Sequence, residues 1–189
     1  IATVSALNIV IAGGTGKIGR LLTSTLHDQQ KGHEIAILSR NAFLASTPAK
    51  VSEAFGWLGE AFLDKYENVK MRDWDGGDML DIVGCDFLGW QEDTLQKADV
   101  VVNLVGGYTE QRTMACERIV RESLRVNPSA KQVILSMTDD DLGMTLKKNR
   151  AKACEDMLEA NCMNTVCLRA EMYDVKGACG QIMDVINAM

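Results

Sequence analysis

The sequence predicts an α/β fold: a doubly wound parallel sheet of strand order 3-2-1-4-5-6, with helices on both faces. Three observations carry that prediction. Short β-rich runs alternate with helical stretches along the chain, as successive βαβ units require. The run Asp99 to Val105 (DVVVNLV) is β-branched and almost wholly apolar, as a strand covered on both faces must be. Gly13, Gly14, Gly16 and Gly19 follow one strand directly and open the next helix.

Each element follows from local pattern. Leu7 to Ala12 (LNIVIA) reads as the first strand and Gly16 to about His27 as the first helix. After the turn at Lys31-Gly32-His33, Glu34 to Ser39 (EIAILS) is the second strand. Residues 41 to 68 exceed the ~2–6 residues usual for an α/β connection. Within them Val51, Phe55, Leu58 and Phe62 form one apolar helical stripe, so an inserted helical segment is expected. It either packs on its own sheet or docks to a partner in a larger assembly. Val69 to Arg72 is the third strand, Gln91 to Lys97 a polar helix, and Asp99 to Val105 the fourth strand. Glu110 to Leu124 follows as a helix, Gln132 to Met137 as the fifth strand, and Leu146 to Ala160 as a helix. Thr165 to Arg169 is the sixth strand, and Ala178 to Met189 the last helix.

Composition narrows the function classes. The 189 residues, 47% hydrophobic and 24% charged, are enough for one domain, residues 1 to 189, around one good-sized core. The apolar runs are far short of the ~20 residues of a membrane span. A formal charge of -6 without a basic block argues against nucleic-acid binding, which draws its affinity from phosphate neutralisation. The six Cys form no CxxC pair, and the only His are His27 and His33, so no metal centre is expected and the thiols read as reduced. The chain starts Ile1-Ala2-Thr3 without Met, which reads as the loss of an upstream segment such as a targeting peptide. A reducing compartment is therefore expected, the cytoplasm or an organelle matrix such as the chloroplast stroma.

The glycine segment Gly13-Gly14-Thr15-Gly16-Lys17-Ile18-Gly19 is the strongest functional signal. Glycines at this spacing permit a tight turn, close backbone approach to a pyrophosphate, and tight packing of helix on strand. The helix N-terminus offers unpaired amides and the positive end of a dipole. The second strand ends Leu38-Ser39-Arg40, where a binder of the unphosphorylated dinucleotide usually carries an acid. Arg40 suits a 2′-phosphate instead. NADP(H) is therefore expected over NAD(H).

The segments AGGTGKIGR, ILSRN and ADVVVNLVGG together resemble the short-chain dehydrogenase/reductase superfamily, a Rossmann-fold group. The likeness is to its atypical or extended branch, the epimerase-like and NmrA-like proteins. The resemblance implies further cofactor contacts at Asp75, in the adenine-edge loop after the third strand, and at Asn103 and Gly106, at the end of the fourth. It also implies a catalytic set: a Ser or Thr after the fifth strand and Tyr-x-x-x-Lys on the next helix. Ser136 and Lys152 occupy the first and last of these places, but the Tyr position holds Lys148. Tyr108 and Tyr173, each after a strand, are alternative donors, and Asp139-Asp140-Asp141 sits where such enzymes hold substrate. Arg-Pro-Gly after the sixth strand is absent, the run being Leu168-Arg169-Ala170. The expectation is an NADP(H)-binding protein that is a non-catalytic, structural or redox-sensing subunit. The alternative is a small NADPH-dependent reductase with a different proton donor.

Overall fold

The computed structural model describes residues 5–40, 42, 66–74, 89–105, 110–137, 145–161, 164–170 and 174–189. In chain order the elements are β1 (Asn8–Ala12), α1 (Lys17–Asp28), β2 (Glu34–Ser39), β3 (Val69–Asp73), α2 (Trp90–Asp93) and a 3-10 turn (Leu95–Lys97). They continue with β4 (Val100–Asn103), α3 (Glu110–Val126), β5 (Lys131–Met137), α4 (Thr145–Asn161), β6 (Thr165–Ala170) and α5 (Val175–Asn187). The strands form one sheet of order β3-β2-β1-β4-β5-β6, as the sequence predicts. Every pairing is parallel, with Ile9 opposite Ile35 and Val100, and Ser136 opposite Arg169.

Alternate residues of the central strands point to opposite faces, and both faces are covered. On one face Ile9, Ile11, Ile35, Ile37, Val100 and Val102 pack against Leu22 and Leu26 of α1 and against Ile182 and Ile186 of α5. On the other, Val10, Ala12, Leu38 and Val101 meet Trp74, Trp90, Leu95 and Ile119. A third cluster joins α3 and α4 over β5 through Cys116, Val120, Ile134, Cys154 and Leu158. Ile11 and Ile37 are fully buried, each stabilising the fold by about 1.5–3 kcal/mol relative to exposure. Among the described residues no helix is long and apolar enough to cross a membrane.

Several boundaries differ from the sequence reading for local reasons. The expected helix over 91–97 breaks at Thr94, whose hydroxyl donates to the Trp90 carbonyl at 2.6 Å, leaving α2 and the 3-10 turn. β4 stops at Asn103, where the side-chain Oδ1 accepts from the Val105 amide at 3.2 Å. α5 begins three residues early because Asp174 caps it, accepting from the Gly177 amide at 2.8 Å. The expected helical insertion over 41–68 lies outside the described residues, apart from Ala42 and residues 66–68.

The amino edge of the sheet is held by polar side chains. His33 is 1% exposed, and its Nδ1 accepts from the Leu7 amide at 3.1 Å. Asn68 donates to the His33 carbonyl at 2.7 Å and bonds His27 at 2.9 Å.

Candidate dinucleotide site

The sheet order reverses beside β1, so the carboxyl ends of β1 and β4 flank a crevice. The glycine loop fills the step from β1 to α1 at that crevice. Gly13 adopts φ +79, and a Cβ there would lie 3.1 Å from the Leu104 backbone C and O atoms. Only glycine meets both demands. The Gly16 amide closes the turn onto the Gly13 carbonyl at 3.0 Å. Gly19 is buried in the first turn of α1, and a Cβ there would fall 2.4 Å from Gly14 Cα. Its lack of a side chain is what brings helix and loop into contact.

Gly16 and Lys17 are exposed at the mouth of the crevice. Gly16 is the N-cap and carries no side chain to satisfy the helix amides. The first turn of α1 has no acid. Thr15 is half-buried, and its carbonyl accepts from Arg20 Nε at 2.8 Å, which fixes the loop from below. Ile18 turns its side chain into the core while its amide belongs to the helix start. Uncapped amides and the positive end of the helix dipole therefore meet at the start of α1, the arrangement that suits an anion.

At the end of β2, Ser39 is buried and its carbonyl accepts from the Trp74 amide at 3.1 Å. The exposed Arg40 follows immediately. Asp73, across from Ser39, accepts from the Ala42 amide at 2.6 Å. Trp74, in the predicted adenine-edge loop, is 5% exposed and packs edge-on to Trp90 with ring centroids 5.6 Å apart. It serves the core. Asp75 and Gly106 lie outside the described residues, as do Tyr108, Asp139, Asp140, Asp141 and Tyr173.

Asn103 is 3% exposed and works on the protein itself. Its Nδ2 donates to the Cys116 carbonyl at 3.2 Å, and its Oδ1 takes the Val105 amide. It thereby sets the β4 loop against Gly13.

Ser136 and Lys152 part company. Ser136 is buried at the carboxyl end of β5, where its hydroxyl donates to Glu155. The other Glu155 oxygen accepts from Arg169 at 2.6 Å. Glu155 is thus a buried carboxylate held from both sides, tying α4 to β5 and β6. The Lys152 side chain is 69% exposed and its ammonium bonds Asp156 at 2.9 Å, which holds its pKa above the ordinary lysine value. A hydroxyl has one proton to give, and that of Ser136 goes to Glu155. Glu155 was not singled out in the sequence because its partners come from two strands distant in the chain. Its spacing from Lys152 is the only local hint. Among the described residues no group of His, Cys, Asp or Glu is arranged to hold a metal ion.

No protein-family model matches the chain, and no curated protein matches it. Solved structures do. A Corynebacterium glutamicum protein assigned to the short-chain dehydrogenase/reductases aligns with a TM-score of 0.57 at 16% identity, covering 96% of this chain and 92% of its own. Sniffer of Caenorhabditis elegans, assigned as a carbonyl reductase, gives 0.57 at 12% identity over 98% of this chain and 92% of its own. The yeast methylglyoxal/isovaleraldehyde reductase Gre2, complexed with NADPH, gives 0.56 at 14% identity over 86% of this chain. The chain spans 53% of Gre2's length and 50% of that of AtPrR2, whose structure holds NADP+ and (+)pinoresinol. Sheet order and these likenesses agree: the chain has the Rossmann fold seen in the short-chain dehydrogenase/reductase structures.

Proposed function

We propose that this chain binds NADP(H) at the Gly13–Gly19 loop and is a non-catalytic, structural or redox-sensing subunit of a larger assembly. The observation that carries the reading is the glycine loop itself. Gly13 and Gly19 sit where no side chain fits, and Gly16 and Lys17 at the start of α1 are exposed. Structures of the same fold contain NADP+, NADPH, or NAD with UDP. Preference for the phosphorylated dinucleotide rests on Arg40, exposed immediately after β2. Asp75 and Gly106 complete the proposed cofactor contacts.

The non-catalytic role is supported by the fate of Ser136 and Lys152. One gives its proton to Glu155, and the other is turned to solvent against Asp156. The inserted 41–68 segment is the proposed docking element. A second reading, a small NADPH-dependent reductase, draws on the same Ser136–Glu155 pair as a buried proton-carrying contact at the carboxyl edge.

Titration of the full chain with NADPH and NADH tests the cofactor, with saturable binding and tighter NADPH expected. Binding of neither overturns the proposal. NADPH oxidation against quinones, flavins and enones separates the two roles. Turnover that disappears in Lys152→Ala ends the non-catalytic reading.

A further inference from the structure

The two edges of the sheet differ in chemistry. β3 reads VKMRD, and its cations are held against their own chain: Lys70 pairs with Glu34 at 3.6 Å and Arg72 with Asp93 at 2.6 Å. Charge along an edge opposes the addition of another strand. β6 reads TVCLRA and pairs with β5 along its whole length. Among the described residues no strand lies on its outer side. Its single charge, Arg169, is committed to Glu155 at 2.6 Å. Thr165, Val166, Cys167 and Leu168 are half-buried, whereas Val133 and Ile134 of β5, flanked by strands on both sides, are closed off from solvent.

Backbone and side-chain directions along β6 are fixed by its neighbours. The Gln132 amide donates to the Asn164 carbonyl at 3.0 Å. In a strand the N–H and C=O of one residue point to one side and those of the next residue to the other. Asn164, Val166 and Leu168 therefore address β5, and Thr165, Cys167 and Arg169 address the outer side. Leu168 packs with the cluster that includes α5, and Val166 shares its face. Cys167 packs with the cluster of α3 and α4, while Thr165 and Arg169 reach α4 at the Leu158 carbonyl and Glu155.

We propose that β6 is a self-association surface: two copies of this chain join β6 to β6, antiparallel, about a two-fold axis normal to the sheet, and form one twelve-stranded sheet. Such an axis keeps each face of the sheet on its own side, so only residues that point to the same face stand opposite one another. The register centred on Cys167 uses all three outward residues. It sets Cys167 opposite Cys167 of the second copy, Val166 opposite Leu168, and Thr165 opposite Arg169. Apolar side chains meet on the α5 face. Each Arg169 meets a hydroxyl and not the other guanidinium, which avoids like charges directly opposite.

α4 supplies a second match. Its Cys154 and Leu158 pack with Ile134 of β5 and Cys167 of β6. Two strand spacings of about 4.8 Å separate that position from its counterpart across the axis, close to the distance of about 8–10 Å at which helices pack. α4 carries Lys147, Lys148, Arg150 and Lys152 in its first half and Glu155, Asp156 and Glu159 in its second. The axis runs the two α4 helices antiparallel, so the basic half of each lies beside the acidic half of the other. That reversal favours a second copy of this chain over an unrelated apolar strand.

Sedimentation of the full chain and hydrogen exchange at its backbone amides test the proposal. The expected result is a reversible species of twice the 20.7 kDa chain mass, in which the Cys167 amide exchanges about tenfold or more slower than after dilution to monomer. Thr165→Pro deletes one outward N–H at the first residue of the strand, where proline is tolerated, and should weaken the dimer about tenfold while the diluted chain keeps its circular dichroism. Glu159→Lys changes only an exposed charge on α4 and should weaken the dimer about threefold or more. A monomer at every concentration overturns the proposal, even with a slow Cys167 amide, since a segment of the same chain would then cover the edge. So does a dimer whose Cys167 amide exchanges as it does in the monomer, or one that Thr165→Pro and Glu159→Lys both leave at full strength.

Discussion

Gly19→Ala isolates the contact between loop and helix. Gly19 is buried in α1, where alanine is the better helix former by about 1 kcal/mol. Propensity alone would therefore make the variant more stable. Sterics oppose it: the new Cβ would lie 2.4 Å from Gly14 Cα, 2.5 Å from its oxygen and 2.6 Å from its carbonyl carbon. Those atoms are backbone and cannot rotate aside, so the loop must retreat by about 1 Å, an overpacking cost of about 1–3 kcal/mol. The two effects leave a net loss of stability of about 0–2 kcal/mol. Binding suffers more. A loop amide set about 2.9 Å from a phosphate oxygen would move out of hydrogen-bond range. Losing one or two charge-assisted bonds at about 1.5–3 kcal/mol each weakens NADPH binding by about tenfold to several hundredfold or more. Gly180→Ala is the control, because Gly180 is an exposed residue of α5 with nothing within 4 Å of its Cβ position. It should raise stability by about 0.5–1 kcal/mol and leave binding unchanged. Fluorescence titration with NADPH and urea unfolding of both variants make the comparison. If Gly19→Ala bound NADPH within about twofold of wild type, the close-approach argument would be refuted.

Three further outcomes are expected. Arg40→Ala should weaken NADPH binding by about tenfold, or about 1.4 kcal/mol, and leave NADH binding unchanged; calorimetry with both cofactors reads this directly. Arg169→Ala removes a half-exposed partner from the buried Glu155 and should lower stability by about 1–2 kcal/mol in urea, less than a fully buried pair would lose. His33 has its pKa lowered from 6.5 by burial and by Lys31, so the unfolded chain takes up the proton first as pH falls. Its contribution is present above pH 6.5 and is lost as pH drops below 6.5 through the folded value. The urea midpoint should therefore fall between pH 7.5 and 5.5 in wild type and fall less in His33→Gln.

How much could be read from the sequence depended on whether its cause was local. Strand order followed from the glycine loop and from alternating β-rich and helical runs, because each strand carries its own apolar pattern. The loop was legible for the same reason: the glycines, the preceding strand and the following helix are contiguous. Asp174 as the cap of α5 was present in the sequence but masked by Lys176 and Gly177, which break the apolar period of that helix. Glu155 was not legible, because Ser136 and Arg169 meet it only once β5 and β6 pair. Asn103 was placed at the right edge by resemblance, but its hydrogen bonds run to Cys116 and Val105, contacts set by the packing of α3. Trp74, the residue before Asp75, is core, and a Trp flanked by Asp residues does not reveal in sequence that Trp90 lies across from it.

A crystal structure of the full chain grown with excess NADP+ tests the central claim most directly. The account predicts pyrophosphate oxygens within hydrogen-bond distance of the backbone amides at the Gly16–Gly19 start of α1, with the 2′-phosphate against Arg40. A crevice without dinucleotide, or a dinucleotide bound elsewhere on the sheet, would contradict it.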